Sequence, residues 1–120
     1  MRFRTPAAVL LVAATLTACA NSIPAINARP AQYYEKKVSF TGRIDRTQAL
    51  AGETLLEIAD ADAHRILVRT DQPLEAGVGD WVKVKGILVP EGKVGGRVIP
   101  DVVVAESIDK TRAPFLRNLF

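Results

Sequence analysis

Apolar and polar residues alternate over residues 37–44, with Val38, Phe40 and Ile44 on one side and Ser39, Thr41 and Arg43 on the other. This two-residue period predicts a β-strand, and Gly42 inside it predicts a bulge or a sharp coil. A polar loop over 45–53 leads to a second strand over 54–59. The run Asp60-Ala61-Asp62-Ala63 breaks the pattern, which resumes over 64–70 with Ile66 and Val68 opposing Arg65, Leu67 and Arg69. That is the signature of a hairpin with an acidic turn. Residues 72–79 hold Pro73, Gly77 and Gly79 and read as a connection. A fourth strand over 81–89 sets Val82 and Val84 against Lys83 and Lys85, with Gly86 marking another bulge. A glycine-rich loop over 90–96 precedes a fifth strand over 97–108, bent at Pro100, which denies one ladder hydrogen bond.

Upstream, Pro30 followed by Ala31-Gln32-Tyr33-Tyr34 predicts one helical turn, with Tyr33 or Tyr34 packed beneath the first strand. The pattern divides the chain into a targeting segment over 1–18, a tether over 19–29, a folded domain over 30–109 and a tail over 110–120. In the tail, Phe115, Leu116, Leu119 and Phe120 are apolar and Arg112 and Arg117 are not, which suits a short amphipathic turn on the domain or against a membrane.

The first segment has two arginines, an unbroken run of small and apolar residues over 6–16, and then Leu16-Thr17-Ala18-Cys19. That order matches a secretory signal, and the run is about half the roughly 20 residues that a membrane-spanning helix needs. Leu16-Thr17-Ala18-Cys19 resembles the lipobox of bacterial lipoproteins, which implies acylation of Cys19 as the mature N-terminus. Ala20 follows it, and the absence of aspartate there resembles the outer-membrane sorting signal. The expectation is a lipid-anchored domain at the outer membrane, facing the periplasm. Ala18-Cys19-Ala20 also fits ordinary cleavage after Ala20, which would leave a soluble periplasmic protein. Cys19 is the one cysteine, so no internal disulfide forms.

Loss of Arg2 and Arg4 with the signal leaves 14 cations against 13 carboxylates. Bulk charge therefore gives no case for nucleic acid, whose binding neutralises phosphates with surplus Lys and Arg.

Five short strands with glycines in the first and fourth resemble the OB-fold, a small five-stranded Greek-key barrel. The residues that carry the likeness are Lys37-Val38-Ser39-Phe40-Thr41-Gly42-Arg43-Ile44 and Gly79-Asp80-Trp81-Val82-Lys83-Val84-Lys85-Gly86-Ile87-Leu88. Both resemble strands of OB domains of the tRNA-anticodon-binding type. The resemblance implies a mainly β barrel with a short N-terminal helical turn, and a ligand face on strands two and three flanked by the loops between strands one and two (L12) and four and five (L45). Such barrels take oligonucleotides, oligosaccharides or proteins. The chain departs from nucleic-acid-binding members in having no Phe, Tyr or Trp on strands two and three. It also departs from periplasmic haem-chaperone barrels, whose histidine lies in a motif ending in tyrosine, because His64 is followed by Arg65-Ile66-Leu67-Val68.

Arg43, Arg65, Arg69, Lys83 and Lys85 are predicted to project outward, with Glu57 and Leu67 among them. They form either an anion-binding face or a solvated surface that discourages edge pairing. Trp81 either closes the barrel's end or lines a groove. Asp60, Asp62 and His64 are common ligand types, yet their spacing is that of a turn, and no metal or other cofactor is expected. No nucleophile with a base or paired carboxylates is visible, so the expected role is non-enzymatic binding of an envelope protein or oligosaccharide, with nucleic-acid binding as the alternative.

Overall fold

The computed structural model describes residues 21–113, so Cys19, the signal segment and the tail residues Phe115, Leu116, Leu119 and Phe120 lie outside the described residues. Five strands, β1 (Lys37–Leu50), β2 (Glu53–Ala59), β3 (Arg65–Thr70), β4 (Trp81–Val94) and β5 (Arg97–Thr111), close into a barrel in the order β1-β2-β3-β5-β4. β4 returns to pair with β1, and every pairing is antiparallel except that of β3 with β5. This is the expected OB-like Greek-key barrel. Its core is the set of inward positions read from the alternation, among them Val38, Phe40, Ile44, Ile66, Val68, Val82 and Val84.

Two predicted loops are strands instead. β1 runs on to Leu50 and β2 begins at Glu53, so residues 45–53 form a two-stranded arm with Ala51 and Gly52 at its tip, both at positive φ. β4 likewise runs on to Val94, and a second arm turns at Gly95 and Gly96. The arms stand beyond the barrel: Arg46 to Ala49 of the first are exposed in succession, so no alternation marks them, and in the second Pro90 and the glycines mask an alternation of exposed Glu91 and Lys93 with buried Gly92 and Val94.

Of the two predicted bulges, one falls elsewhere. In β1 the register shifts between Ile44 and Arg46 rather than at Gly42. Gly42 instead permits close approach, because a Cβ there would sit 2.4 Å from Ile58 Cγ2 and 2.8 Å from the Ala59 carbonyl oxygen. At Gly86 the shift is present, with Glu106 of β5 as the extra residue.

The segment read as a tether is folded in its described part. Ser22 Oγ accepts the Ala25 N–H at 3.2 Å and starts the helix α1 (Ile23–Ala28). Ile23 and Ile26, three residues apart and on one face, are 2% and 1% exposed and join the barrel core. Asn27 Nδ2 donates to the Arg65 carbonyl oxygen at 2.8 Å and fixes the helix against β3. Burial of the two isoleucines, about 1.5–3 kcal/mol each, explains why six residues with no acidic first turn stay helical. A 3₁₀ turn (Pro30–Gln32) follows where the helical turn was expected, and Tyr33 and Tyr34 pack on the core. Residues 71–80 connect β3 to β4 without a helix, and α1 supplies the apolar plug instead. No described helix is long and apolar enough to cross a membrane.

Candidate functional site

The outer side of β2 and β3 is built from a short ladder, in which Leu55 lies opposite Arg69, Glu57 opposite Leu67 and Ala59 opposite Arg65. Its far end is apolar. Leu55 and Leu67 pack with Val89, Val94, Ile99 and Val102 and with Leu50 from the first arm. This cluster sits outside the barrel and under the two arms. At the arm tips a Cβ on Gly95 would lie 2.6 Å from Leu50 Cβ, which measures how closely the arms meet. The Glu53 carboxylate locks them, since Oε1 accepts the Gly95 N–H at 3.3 Å and Oε2 accepts Arg69 Nε at 2.7 Å. L12, L45 and β3 thus form one braced arch.

Between the first arm and the β2–β3 ladder lies a cleft of about 150 Å³, lined by Arg46, Thr47, Gln48, Leu55, Glu57 and Leu67. Two leucines make its floor and polar groups its rim. The cation pattern is matched at the near end of the face. Arg43 Nε bonds Asp45 Oδ1 at 2.8 Å, and Arg65 Nε reaches Asp45 Oδ2 and Glu57 Oε1, both at 3.3 Å. Arg43, Arg65 and Arg69 are therefore each paired with a carboxylate. Within the described residues 13 cations meet 13 carboxylates, because Arg2, Arg4 and Arg117 lie outside them.

The five predicted cations do not share one face. Lys83 and Lys85 of β4 stand beside Thr41 and Ser39 of β1, on a different wall from Arg65 and Arg69. Trp81 stands opposite Arg43 and Thr111 at the start of β4, half-buried, with the Arg43 guanidinium 6.0 Å from its ring centroid. That distance is the outer limit of a cation–π contact. At the β2–β3 turn, Asp60 Oδ1 accepts the N–H groups of Asp62 and His64, each at 2.9 Å, and His64 Nδ1 lies 2.9 Å from Oδ2. These residues make the predicted hairpin turn. Among the described residues no three His, Cys, Asp or Glu side chains converge as a metal site.

The pairing has a consequence in acid. The hydrogen bond from Arg43 holds the Asp45 carboxyl below its usual value, and the bond from Arg69, helped by the Gly95 N–H, does the same for Glu53. A folded-state value below the unfolded one contributes stability that is complete above the unfolded value, around pH 4, and is lost as pH falls through the folded value. Unfolding by urea at pH 7 and pH 3 should show a lower midpoint in acid, and Glu53→Gln should shrink the difference. An equal difference in the variant would remove Glu53 from the account.

Sequence reasoning found the cations with Glu57 and Leu67 among them, and missed the pairing carboxylates Asp45 and Glu53, the outer apolar cluster and the cleft. A signal for the cluster exists. Leu55-Leu56 and Val102-Val103-Val104 are apolar at consecutive positions, the mark of strands covered on both faces.

No family model matches the chain, and no curated protein matches it in sequence. Its likeness to solved structures is one of fold. A putative aspartyl-tRNA synthetase from Leishmania major Friedlin is similar at TM-score 0.57 and 10% identity, over 75% of this chain and 20% of that one. The asparaginyl-tRNA synthetase from Pyrococcus horikoshii is similar at TM-score 0.53 and 17% identity, over 68% of this chain and 21% of that one. The OBody AM3L09, bound to hen egg-white lysozyme, is similar at TM-score 0.55 and 12% identity, over 68% of this chain and 86% of that one. The chain spans about a fifth of the length of the two synthetases. The barrel is an OB-fold.

Proposed function

We propose that this chain is a non-enzymatic OB-fold binding module whose β2–β3 face, framed by the two arms, takes a protein partner. The observation that carries the reading is the leucine-floored cleft with a polar rim inside a braced arch. An apolar floor within a polar rim is how protein interfaces seat a side-chain anchor, and a preformed arch spares the ordering cost of binding. Protein recognition also suits a face whose charges are already balanced, since it needs no surplus of either sign. The lysozyme-bound OBody is a barrel of this fold with a protein ligand. The proposal includes anchoring at an envelope membrane through a lipid on Cys19, which the signal-like segment supports.

A photo-crosslinking residue in place of Gln48, at the cleft rim, should capture one discrete partner on intact envelopes, whereas one in place of Glu91 should not. Leu67→Glu, or Thr47→Arg in a chain of unchanged melting temperature, should lower capture at least ten-fold, as expected for an anchor worth about 1.4 kcal/mol or more. Equal capture at both positions would sink the reading. Mass spectrometry of the mature N-terminus tests the anchor, and an unmodified chain starting at Asn21 would remove it.

A second reading is single-stranded nucleic-acid binding. It draws on the fold likeness to two tRNA synthetases and on the Arg43 guanidinium 6.0 Å from the Trp81 ring centroid. Its prediction is affinity for single strands that falls steeply with salt and is lost in Trp81→Ala. Salt-dependent binding in a gel-shift titration would replace the protein reading with this one.

A further inference from the structure

The described chain begins fastened to a strand edge. β1 pairs with β4 from Lys37 to Arg43 but meets β2 only from Arg43 onward. Asn21 occupies the remaining edge at one point. Its N–H donates to the Ser39 carbonyl oxygen at 2.6 Å, and its Oδ1 accepts the Ser39 N–H at 3.0 Å. Beside this contact the outer wall of β1 and β4 opens into two clefts, of about 400 and 330 Å³, and Ser39 and Lys83 line both. The larger also borders Asn21, Thr41 and Asp60, and the smaller borders Lys37, Lys85 and Glu106.

Two of this wall's three lysines have no described carboxylate closed on them. Lys83 and Lys85 form no ion pair among the described residues, and Asp109 faces Lys83 across the sheet without closing on it. Lys37 meets Glu106 only at 3.8 Å, and the Asp60 carboxylate is engaged by its own turn. Ser39 is 7% exposed, and its Oγ is shielded and has no hydrogen-bond partner among the described residues. A buried hydroxyl left unpaired is costly, and a change of χ1 rotamer redirects its O–H.

We propose that these adjoining clefts take the phosphate of an anionic phospholipid headgroup, with Lys83 and Lys85 supplying ammonium groups and Ser39 a hydroxyl donor. The placement at a bilayer rests on the Cys19 anchor, whereas the phosphate chemistry of the cleft does not. Cys19 precedes Asn21 by two residues, at most about 7 Å of chain. A lipid there holds this wall at the bilayer surface, where each lysine is drawn to anionic headgroups. The β2–β3 face lies across the barrel and then points away from the bilayer, open to a partner.

The test uses the exported protein, purified from cells and mixed with vesicles of phosphatidylcholine with or without phosphatidylglycerol. With phosphatidylglycerol, Lys83 and Lys85 should react with an amine label about five-fold more slowly, and Lys93 on the far arm should be unchanged. Affinity should fall about 25-fold in Lys83→Gln, Lys85→Gln, at about five-fold per lysine, and by a smaller factor in Ser39→Ala at unchanged melting temperature. Protection that is equal on phosphatidylcholine, equal at Lys93, or reproduced by glycerol phosphate without vesicles would overturn the proposal. So would unchanged affinity in the lysine or Ser39 variants. The mass of the N-terminal peptide separates the two readings. Acylated Cys19 without lysine protection defeats the cleft alone, and protection with an unmodified N-terminus defeats the anchor alone.

Discussion

Gly86→Ala should lower the melting temperature by about 15 °C, corresponding to about 3 kcal/mol in a domain of this size. Gly86 lies at the seam where β4 is pressed from both sides, opposite Val38 of β1 and Ala105 of β5. A Cβ there would stand 2.3 Å from the Val104 carbonyl oxygen, 2.9 Å from Val103 Cγ1 and 3.0 Å from Ala105 Cα. Two of these three neighbours are backbone, so no rotamer change clears the space. Relief requires β5 to move, and β5 carries the parallel pairing to β3 that closes the barrel. Gly77→Ala is the matched control, since nothing lies within 4 Å of its Cβ, and it should change stability by less than about 0.5 kcal/mol. Thermal unfolding followed by circular dichroism measures both. Two variants that melt together would mean that the seam at Gly86 is looser than the register shows.

The barrel was legible because its strands are half-buried. Wherever one face meets the core and the other meets water, the period of two is written in the sequence, as at Val38, Phe40 and Ile44 or at Val82 and Val84. The same rule explains what was hidden. In the first arm Arg46, Thr47 and Gln48 are exposed in succession, and in the second Pro90 and the glycines mask the alternation of Glu91 and Lys93 with buried Gly92 and Val94, so the backbone pairing that holds both arms left little side-chain pattern. Charge was legible only as residue type. Asp45 with Arg65, and Glu53 with Arg69, are 20 and 16 positions apart, so their pairing depends on register. A face read as either anion-binding or merely solvated became a charge-paired one once Asp45 and Glu53 were placed beside its arginines. Ser39 looked like an ordinary outward residue, and the contact with Asn21 that buries it joins segments 18 residues apart.

Ile26→Ala should destabilise the domain by about 3 kcal/mol, and Ile23→Ala by a comparable amount. A flexible tether would show neither effect, so these variants decide whether residues 21–28 belong to the fold. The expected size follows from burial, because both side chains are almost fully enclosed in the barrel core and the arc of space they fill has no other occupant from the β3–β4 connection than Leu74 and Ala76. A six-residue helix has no stability of its own in water, so it stays formed only while docked. Ala28, exposed on the same helix, is the control position, and Ala28→Ser should change the melting temperature by a degree or two. Hydrogen exchange at Ile26 and Asn27 separates undocking of the helix from loosening of the whole barrel, since undocking alone leaves the β4–β5 amides protected. The functional consequence is one of reach. With the helix docked, about 7 Å of chain separates Cys19 from the Asn21 contact, and with it released, roughly 33 Å of extended chain separates Cys19 from Arg29. A strut would become a leash, and the orientation of the β1–β4 wall toward a bilayer would be lost. The Ile26→Ala chain should therefore lose the phosphatidylglycerol-dependent protection of Lys83 and Lys85 even where its barrel remains folded.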